Sequence, residues 1–82
     1  MIKRFVIIAG SYRYAEPTIR KLKELGHHAD YAHDLTRLQG VGQDAIIVIG
    51  PGFYDRRDMT ELLAYVASLK LMGLKVISHA AI

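Results

Sequence analysis

The sequence predicts a small three-layer α/β domain with a parallel sheet, and three observations support this fold class. Two continuous runs of apolar β-formers, 5–9 and 45–49, are typical of strands buried on both faces of a parallel sheet. Each run ends at a loop that opens with glycine, Gly10 or Gly50. Predicted strands and helices alternate along the chain, and such alternation requires right-handed crossovers between parallel strands.

The first predicted strand spans residues 4–9, and residues 16–25 form the first predicted helix. Pro17 suits the first turn of this helix, and Gly26 suits its carboxyl-terminal cap. The other side chains of the helix are mostly charged and are expected to face solvent. Three apolar side chains fall on the opposite face and are expected to be buried: Ile19, Leu22 and Leu25.

The next two predicted elements are shorter. Residues 28–32 alternate in polarity and predict a second strand. Residues 34–39 predict one or two helical turns, which end at Gly40.

The second half of the chain contains two strands around a long helix. The third strand, residues 44–49, has the clearest β pattern, and residues 58–72 predict a helix that Gly73 ends. Residues 74–78 predict the last strand. The long helix has a stripe of apolar side chains at helical spacing that predicts its buried face: Met59, Leu62, Leu63, Val66, Leu69 and Met72.

The most economical sheet for this order of elements has four strands in the order 2-1-3-4, an arrangement of the flavodoxin-like or Rossmann-like kind. In that order the first and third strands are neighbours, and the strand order reverses between them. Ligands of open parallel sheets bind outside the carboxyl ends of the strands at such a point. The loops at 10–13 and 50–54 therefore mark the predicted site.

Length and composition restrict the possible functions. The 82 residues suffice for a single domain, 1–82, with a small core. The net charge of +3 comes mostly from scattered basic residues, which fits a small anionic ligand and argues against a nucleic-acid groove. No cysteine is present, which excludes disulfides and thiol chemistry. The apolar run that ends at Gly10 is too short for a signal peptide or a membrane span, so we expect a cytoplasmic protein.

The two site loops combine glycine, aromatic and basic residues, a composition that suits a nucleoside or a nucleotide. Four aromatic side chains near the site could stack on a base, Tyr12, Tyr14, Phe53 and Tyr54, and each such contact contributes about 1–3 kcal/mol. The alternative is that one or two of them pack over the sheet edge or a partner subunit, and we expect at least one to do so. Arg13 and Arg56 are candidates to hold a phosphate or a carboxylate, and the alternative is that they are exposed and unpaired. The predicted binding residues are Gly10, Ser11, Tyr12, Arg13, Gly50, Gly52, Phe53, Tyr54 and Asp58.

The segment from Asp55 to Glu61 has two interpretations. Asp58 and Glu61 have the spacing of a capping box, in which Asp58 caps the long helix and Glu61 bonds back to the cap amide. Acidic residues are also favoured at the positive end of a helix dipole. In the functional interpretation, Glu61 faces the crevice one turn into the helix and acts as a nucleophile or base. The sequence alone favours capping.

Other sequence signals for a ligand are weak. The Gly40-Val41-Gly42 segment lacks a preceding strand and a third glycine, so it does not predict a dinucleotide site. The histidines are interpreted as solvated or half-buried side chains, and we expect no metal site and no cofactor. His79 follows the last predicted strand and is a minor candidate for the border of the site.

Several motifs occur in a defined order along the chain. The first strand ends in Ala9-Gly10-Ser11-Tyr12, Asp44 opens the third strand, and Gly73 separates the long helix from the last strand. Glu61, near the start of the long helix, follows Asp55 by six residues. This pattern resembles nucleoside 2-deoxyribosyltransferase-like proteins, in which a helix after an acidic loop carries the nucleophilic glutamate.

The resemblance implies a reaction at a glycosidic bond. Glu61 would attack the anomeric carbon and displace the base through a covalent glycosyl–enzyme intermediate. Asp55 would contact the sugar or help protonate the leaving base, and Gly10 would allow close approach of the backbone. Arg57 and Asp58 stand where the family's acidic loop has a Gly-Thr pair. An incoming base would complete a transfer, whereas water would make the protein a hydrolase.

Three functions are compatible with these patterns. In the first, the protein binds a nucleoside or nucleotide and cleaves or exchanges its N-glycosidic bond. In the second, the same site binds a nucleotide without catalysis, for sensing or sequestration. In the third, the domain is an interaction module. A receiver-type signalling domain is not favoured, because no acidic pair follows the first strand.

A homo-oligomer is also expected. The predicted sheet leaves two edges open to pairing, and Ala80, Ala81 and Ile82 add apolar surface beside the last strand. We expect a dimer or larger assembly in which a partner supplies part of the pocket wall.

Overall fold

The computed structural model describes residues 3–42 and 44–82. Within these residues the chain forms four strands, three α-helices and two short 3-10 helices. The strands are β1, Arg4–Ile8; β2, His28–Tyr31; β3, Ala45–Ile49; and β4, Lys75–Ser78. The α-helices are α1, Tyr12–Glu24; α2, Leu35–Gln39; and α3, Met59–Leu71, and the 3-10 helices are Phe53–Asp55 and His79–Ala81. None of the helices in this part of the chain is both long and apolar enough to cross a membrane.

The strands form a parallel sheet with the order β2-β1-β3-β4. The predicted fold class and strand order are confirmed. Arg4 of β1 lies opposite His28 of β2 and Ala45 of β3. The strand order reverses between β1 and β3, so their carboxyl ends form the switch point of the sheet. Apart from α1, each strand and α-helix begins and ends within about one residue of its predicted bounds.

Helices cover both faces of the sheet. α1 packs on one face, where Ala15, Ile19 and Leu22 join a core with residues of β1 and β3. α2 and α3 pack on the other face, in a second core that includes Val6 and Ile8 of β1. Successive residues of β1 therefore point into two cores, as expected of a strand that is buried on both faces.

Helix α1 begins at Tyr12, well before the predicted start at residue 16. Ser11 has an extended backbone, and its carbonyl accepts hydrogen bonds from the amides of Tyr14 and Ala15, which start the helix. Pro17 therefore lies inside the helix and not in its first turn, so that prediction is wrong. As a consequence, Tyr12 and Tyr14 lie on a helix that begins at the switch point.

The two long helices end at the residues just before the predicted glycines. Leu25 caps α1 and Met72 caps α3, and Gly26 and Gly73 follow them. Because of these terminal positions, Leu25 and Met72 are 63% and 61% exposed and not buried as predicted. Leu63 is also exposed, because it lies on the outward side of α3.

Candidate functional site

The two predicted site loops meet at the carboxyl ends of β1 and β3. The amide of Gly10 donates a hydrogen bond of 2.9 Å to the carbonyl of Pro51. The amide of Gly50 donates one of 2.7 Å to the carbonyl of Ile8. These bonds join the loop after β1 to the loop after β3, which confirms the convergence predicted from the strand order.

Glycine is required where the two loops touch. A Cβ atom at residue 10 would lie 2.8 Å from the carbonyl oxygen of Gly52 and 3.0 Å from its Cα. Gly52 has a φ of 77°, a left-handed conformation that glycine adopts without steric cost. The contact between Gly10 and Gly52 is therefore possible only for this pair of residues.

Gly10→Ala should destabilise the fold and open the loop contact. The added Cβ meets backbone atoms, which cannot rotate away, and overpacking of this kind costs about 1–3 kcal/mol. Gly40→Ala is a matched control, since its Cβ would lie 3.6 Å from the nearest atom, in ordinary contact, at a φ of −83°. The two variants can be compared by urea unfolding followed by circular dichroism. Equal stabilities would contradict the steric role of Gly10.

A small depression lies beside the loop contact. Its volume is about 150 Å³, and its lining residues are Gly10, Tyr14, Gly52, Asp55 and Arg56. Pockets that enclose a drug-sized ligand generally have volumes of roughly 300–1,000 Å³. In a single chain, this depression would therefore hold part of a nucleoside and leave the rest on the open surface.

A larger depression, of about 410 Å³, lies on the outward side of α1. It is lined by Tyr12, Glu16, Ile19, Arg20, Lys23 and Glu24. Its walls come from one helix, and two of its charged groups, Arg20 and Glu16, form an ion pair with each other. We assign the candidate site to the smaller depression, because it lies at the switch point and combines backbone from two loops.

Arg56 connects three segments at the edge of the depression. Its guanidinium donates hydrogen bonds to the carbonyls of Ala9, at 2.8 Å, and of His33, at 2.7 Å. It also donates to both carboxylate oxygens of Asp58, at 2.8 and 3.0 Å. The Arg56 side chain is 12% exposed. Neither alternative expected for Arg56 is found, since it is neither exposed nor free to hold a ligand phosphate.

The Arg56–Asp58 pair shifts the pKa of both groups. The hydrogen bond from Arg56 lowers the pKa of the Asp58 carboxyl below its ordinary value. The same hydrogen bond raises the pKa of the Arg56 guanidinium. Both groups are therefore charged at neutral pH. The guanidinium binds the carboxylate in a bidentate manner, which is the stronger geometry for this kind of ion pair.

The pair also explains why the predicted capping box does not form. Asp58 occupies the cap position of α3, but its side chain makes no capping hydrogen bond. Its carboxylate is bonded to Arg56 instead, so the predicted capping by this side chain is wrong. Glu61 lies exposed in the first turn of α3, and no ion pair among residues 3–42 and 44–82 involves it. It does not line the depression.

The predicted aromatic residues differ in their exposure. Phe53 is fully buried in the core beneath α3, so it cannot contact a ligand as expected. Tyr12, Tyr14 and Tyr54 are exposed, at 55%, 55% and 63%. The ring of Tyr54 packs edge-on against Phe53, with centroids 5.2 Å apart. Three tyrosines of the predicted set thus remain accessible at this edge of the sheet.

Two residues that the sequence analysis did not select lie at the same edge. Tyr31 ends β2, and its ring packs edge-on against Tyr12 with centroids 5.7 Å apart. The ring of His33 lies 6.4 Å from that of Tyr31, and its Nε2 lies 3.2 Å from Oδ2 of Asp34. Their position at the end of the second strand and two residues beyond it is the signal that would identify them, because the carboxyl ends of parallel strands share one edge.

The remaining predicted residues occupy different positions around the switch point. Asp55 ends a 3-10 helix and lines the depression. Ser11 precedes α1 without a side-chain capping bond, and Arg13 is exposed in the first turn of that helix. Gly50 is buried against Ala9. His79 is half-buried at the start of the last 3-10 helix.

In the described part of the chain, no group of three or more His, Cys, Asp or Glu side chains is arranged to hold a metal ion. No protein-family model, curated protein or solved structure matches this chain. Its function must therefore be inferred from the residues at the switch point.

The Arg56–Asp58 pair should make the stability of the folded state depend on pH in the acid range. Because the pKa of Asp58 is lower in the folded state, the pair stabilises the fold above the ordinary carboxyl pKa of 3.8. This contribution is lost as the pH falls through the lower folded pKa. Asp58→Asn should therefore be less stable than the wild type near neutral pH, and the difference should shrink below about pH 4. Urea unfolding at a series of pH values measures the difference in unfolding free energy between the two proteins. A difference that stays constant with pH would contradict the stabilising role of the Arg56–Asp58 pair.

Proposed function

We propose that this protein binds a nucleoside or a nucleotide at the carboxyl ends of β1 and β3. The observation that carries the proposal is the contact between Gly10 and Gly52, which brings two loops together at the switch point. Ligands of open parallel sheets bind at such points, where backbone groups and helix ends converge.

The parts of a nucleotide have suitable partners around this contact. Tyr12, Tyr14 and Tyr54 are exposed rings that can stack on a base. Arg13 lies exposed in the first turn of α1, where the helix dipole also favours a phosphate. Asp55 lines the depression, and its carboxylate can accept hydrogen bonds from sugar hydroxyls.

The small volume of the depression, about 150 Å³, decides which contacts matter most. A site that encloses only part of the ligand gains little from burial. Affinity should therefore come from base stacking and from contacts to the phosphate. We expect a nucleoside monophosphate to bind more tightly than the corresponding nucleoside.

Binding can be measured by calorimetry and thermal shift with a panel of nucleosides and their monophosphates. A bound monophosphate should raise the melting temperature, because it stabilises the folded state by mass action. Arg13→Ala should weaken monophosphate binding about tenfold and leave nucleoside binding unchanged. Arg37→Ala, which removes an exposed arginine of α2, is the control and should change neither affinity. Failure of the wild type to bind any compound of the panel would contradict the proposal.

A second candidate function is cleavage or exchange of the N-glycosidic bond by Glu61. The observation that favours it is the missing capping box, because the carboxylate of Glu61 remains exposed in the first turn of α3. Attack of this carboxylate on the anomeric carbon would break the bond to the base, which would take up a proton from Asp55 or from water. Water would then displace the glutamate and release the free sugar, whereas a second base would displace it and form a new nucleoside.

A further inference from the structure

Another depression lies beside the edge strand β2 and shares no residue with the candidate site. Its volume is about 330 Å³. This volume is at the lower end of the range for sites that hold small molecules, roughly 300–1,000 Å³. Its lining comes from β1, β2, α2 and the turn after α2, and includes Arg4, Val6, Asp30, Ala32, Arg37 and Val41.

The shortness of α2 leaves this depression open. α2 has five residues and is about 7.5 Å long, so it covers only part of this face of β1 and β2. Val6 and Ala32 are buried and form an apolar floor. Val6 lies opposite Asp30, and side chains two residues apart on a strand share a face. Arg4 and Asp30 therefore point to the same side of the sheet as Val6.

Three charged side chains surround the floor and do not neutralise one another. Arg4, Asp30 and Arg37 are exposed, and within residues 3–42 and 44–82 no ion pair or side-chain hydrogen bond involves any of them. In the depression on α1, by contrast, Arg20 and Glu16 pair with each other. The strand spacing places the Cα atoms of Arg4 and Asp30 about 8 Å apart, so a single small molecule can contact both side chains.

We propose that this depression binds a free acidic amino acid, a small molecule with two carboxylates and one ammonium group. Arg4 and Arg37 each bind one carboxylate, because the planar guanidinium matches the two oxygen atoms. The carboxylate of Asp30 accepts hydrogen bonds from the ammonium group. The ligand has a charge of −1, which balances the charge of the two arginines and the aspartate.

The same three charges disfavour simpler ligands. A dicarboxylate without an ammonium group leaves Asp30 without a partner and meets its like charge. A neutral amino acid has one carboxylate and leaves one of the two arginines without a partner. Such unfavourable contacts are what distinguishes one ligand from another of similar shape.

Nuclear magnetic resonance of the isotope-labelled protein, titrated with glutamate at low ionic strength, tests the proposal. Saturable shifts should appear at the amides of residues that line the depression. The dissociation constant should be about 1 mM, because charge pairs that are open to solvent contribute little. Glutarate lacks the ammonium group and glutamine lacks the second carboxylate, so each should bind about tenfold more weakly. Sodium chloride at matched ionic strength is the control for non-specific salt effects.

Two variants test the assigned roles. Asp30→Asn should weaken glutamate binding about tenfold and strengthen glutarate binding, because it removes the partner of the ammonium group and the like charge together. Arg37→Ala should weaken the binding of both ligands. Arg57→Ala is the matched control, because Arg57 is an exposed arginine outside the depression, and it should change neither affinity. The spectra of the variants also show whether they are folded.

Three results would overturn the proposal. Glutamate at about 10 mM would give no saturable shifts, the shifts would lie away from the depression, or Asp30→Asn would affect glutamate and glutarate alike. The proposal does not rest on nucleotide binding, and the variants separate the two sites. Arg13→Ala should weaken monophosphate binding and leave glutamate binding unchanged, whereas Arg37→Ala should do the reverse.

Discussion

Arg56→Ala should lower the free energy of unfolding by about 2–3 kcal/mol, which corresponds to a fall in melting temperature of roughly 10–20 °C for a domain of this size. The substitution removes hydrogen bonds to Ala9, His33 and Asp58 at once. The largest part of the cost comes from the carbonyl of Ala9, because this residue is buried and a buried acceptor without a partner costs more than its bond contributes. Thermal and urea unfolding, followed by circular dichroism, measure the loss.

Two variants give this experiment its controls. Arg57→Ala removes the neighbouring arginine, which is exposed, and should change the stability by no more than about 0.5 kcal/mol. Arg56→Lys keeps the positive charge but loses the planar fork, so it should recover only part of the stability. If the two alanine variants were equally stable, the connecting role of Arg56 would have to be abandoned.

Glu61→Gln should abolish the release of base if the carboxylate is a nucleophile, and it should leave ligand binding intact. Glutamine has nearly the same shape but lacks the negative charge that attacks the anomeric carbon. The folded state should be unaffected, because Glu61 is exposed and its side chain takes no part in capping. The measurement is chromatographic detection of free base from deoxynucleosides and deoxynucleotides, with binding measured in parallel.

Glu24→Gln is the matched control, since it removes an exposed glutamate at the carboxyl end of α1, on the other face of the sheet. It should release base at the rate of the wild type. Undiminished release by Glu61→Gln would exclude the nucleophile. Binding by the wild type without any release would favour a sensing or sequestering role over catalysis.

The sheet could be predicted from the sequence because its signals are local. The apolar runs at 5–9 and 45–49 allow few structures other than strands buried on both faces, and the alternation of elements then limits the strand order. The start of α1 could not be predicted in the same way. Pro17 is a strong local signal, but the carbonyl of Ser11 starts the helix earlier, so Pro17 falls inside it.

The site was predicted at the level of loops and less well at the level of side chains. The spacing of Asp58 and Glu61 is typical of a capping box, but Arg56 competes for the Asp58 carboxylate. That competition depends on how Ala9 and His33 hold the guanidinium, which is a property of the assembled fold. Phe53 is predicted as a binding residue with the other loop aromatics, whereas its ring completes the core beneath α3.

The central position of β1 determines the order in which this protein can fold during synthesis. β1 is made before the other three strands, and α1 follows at once to cover one of its faces. The other face, with Val6 and Ile8, is covered by α2 and α3, and Arg4 must also pair with the distant Ala45. The long segments between these elements must close before the contacts form that compensate for the lost chain entropy. This requirement slows folding. On the ribosome, an apolar surface of the first strand therefore stays accessible to chaperones until α3 has emerged.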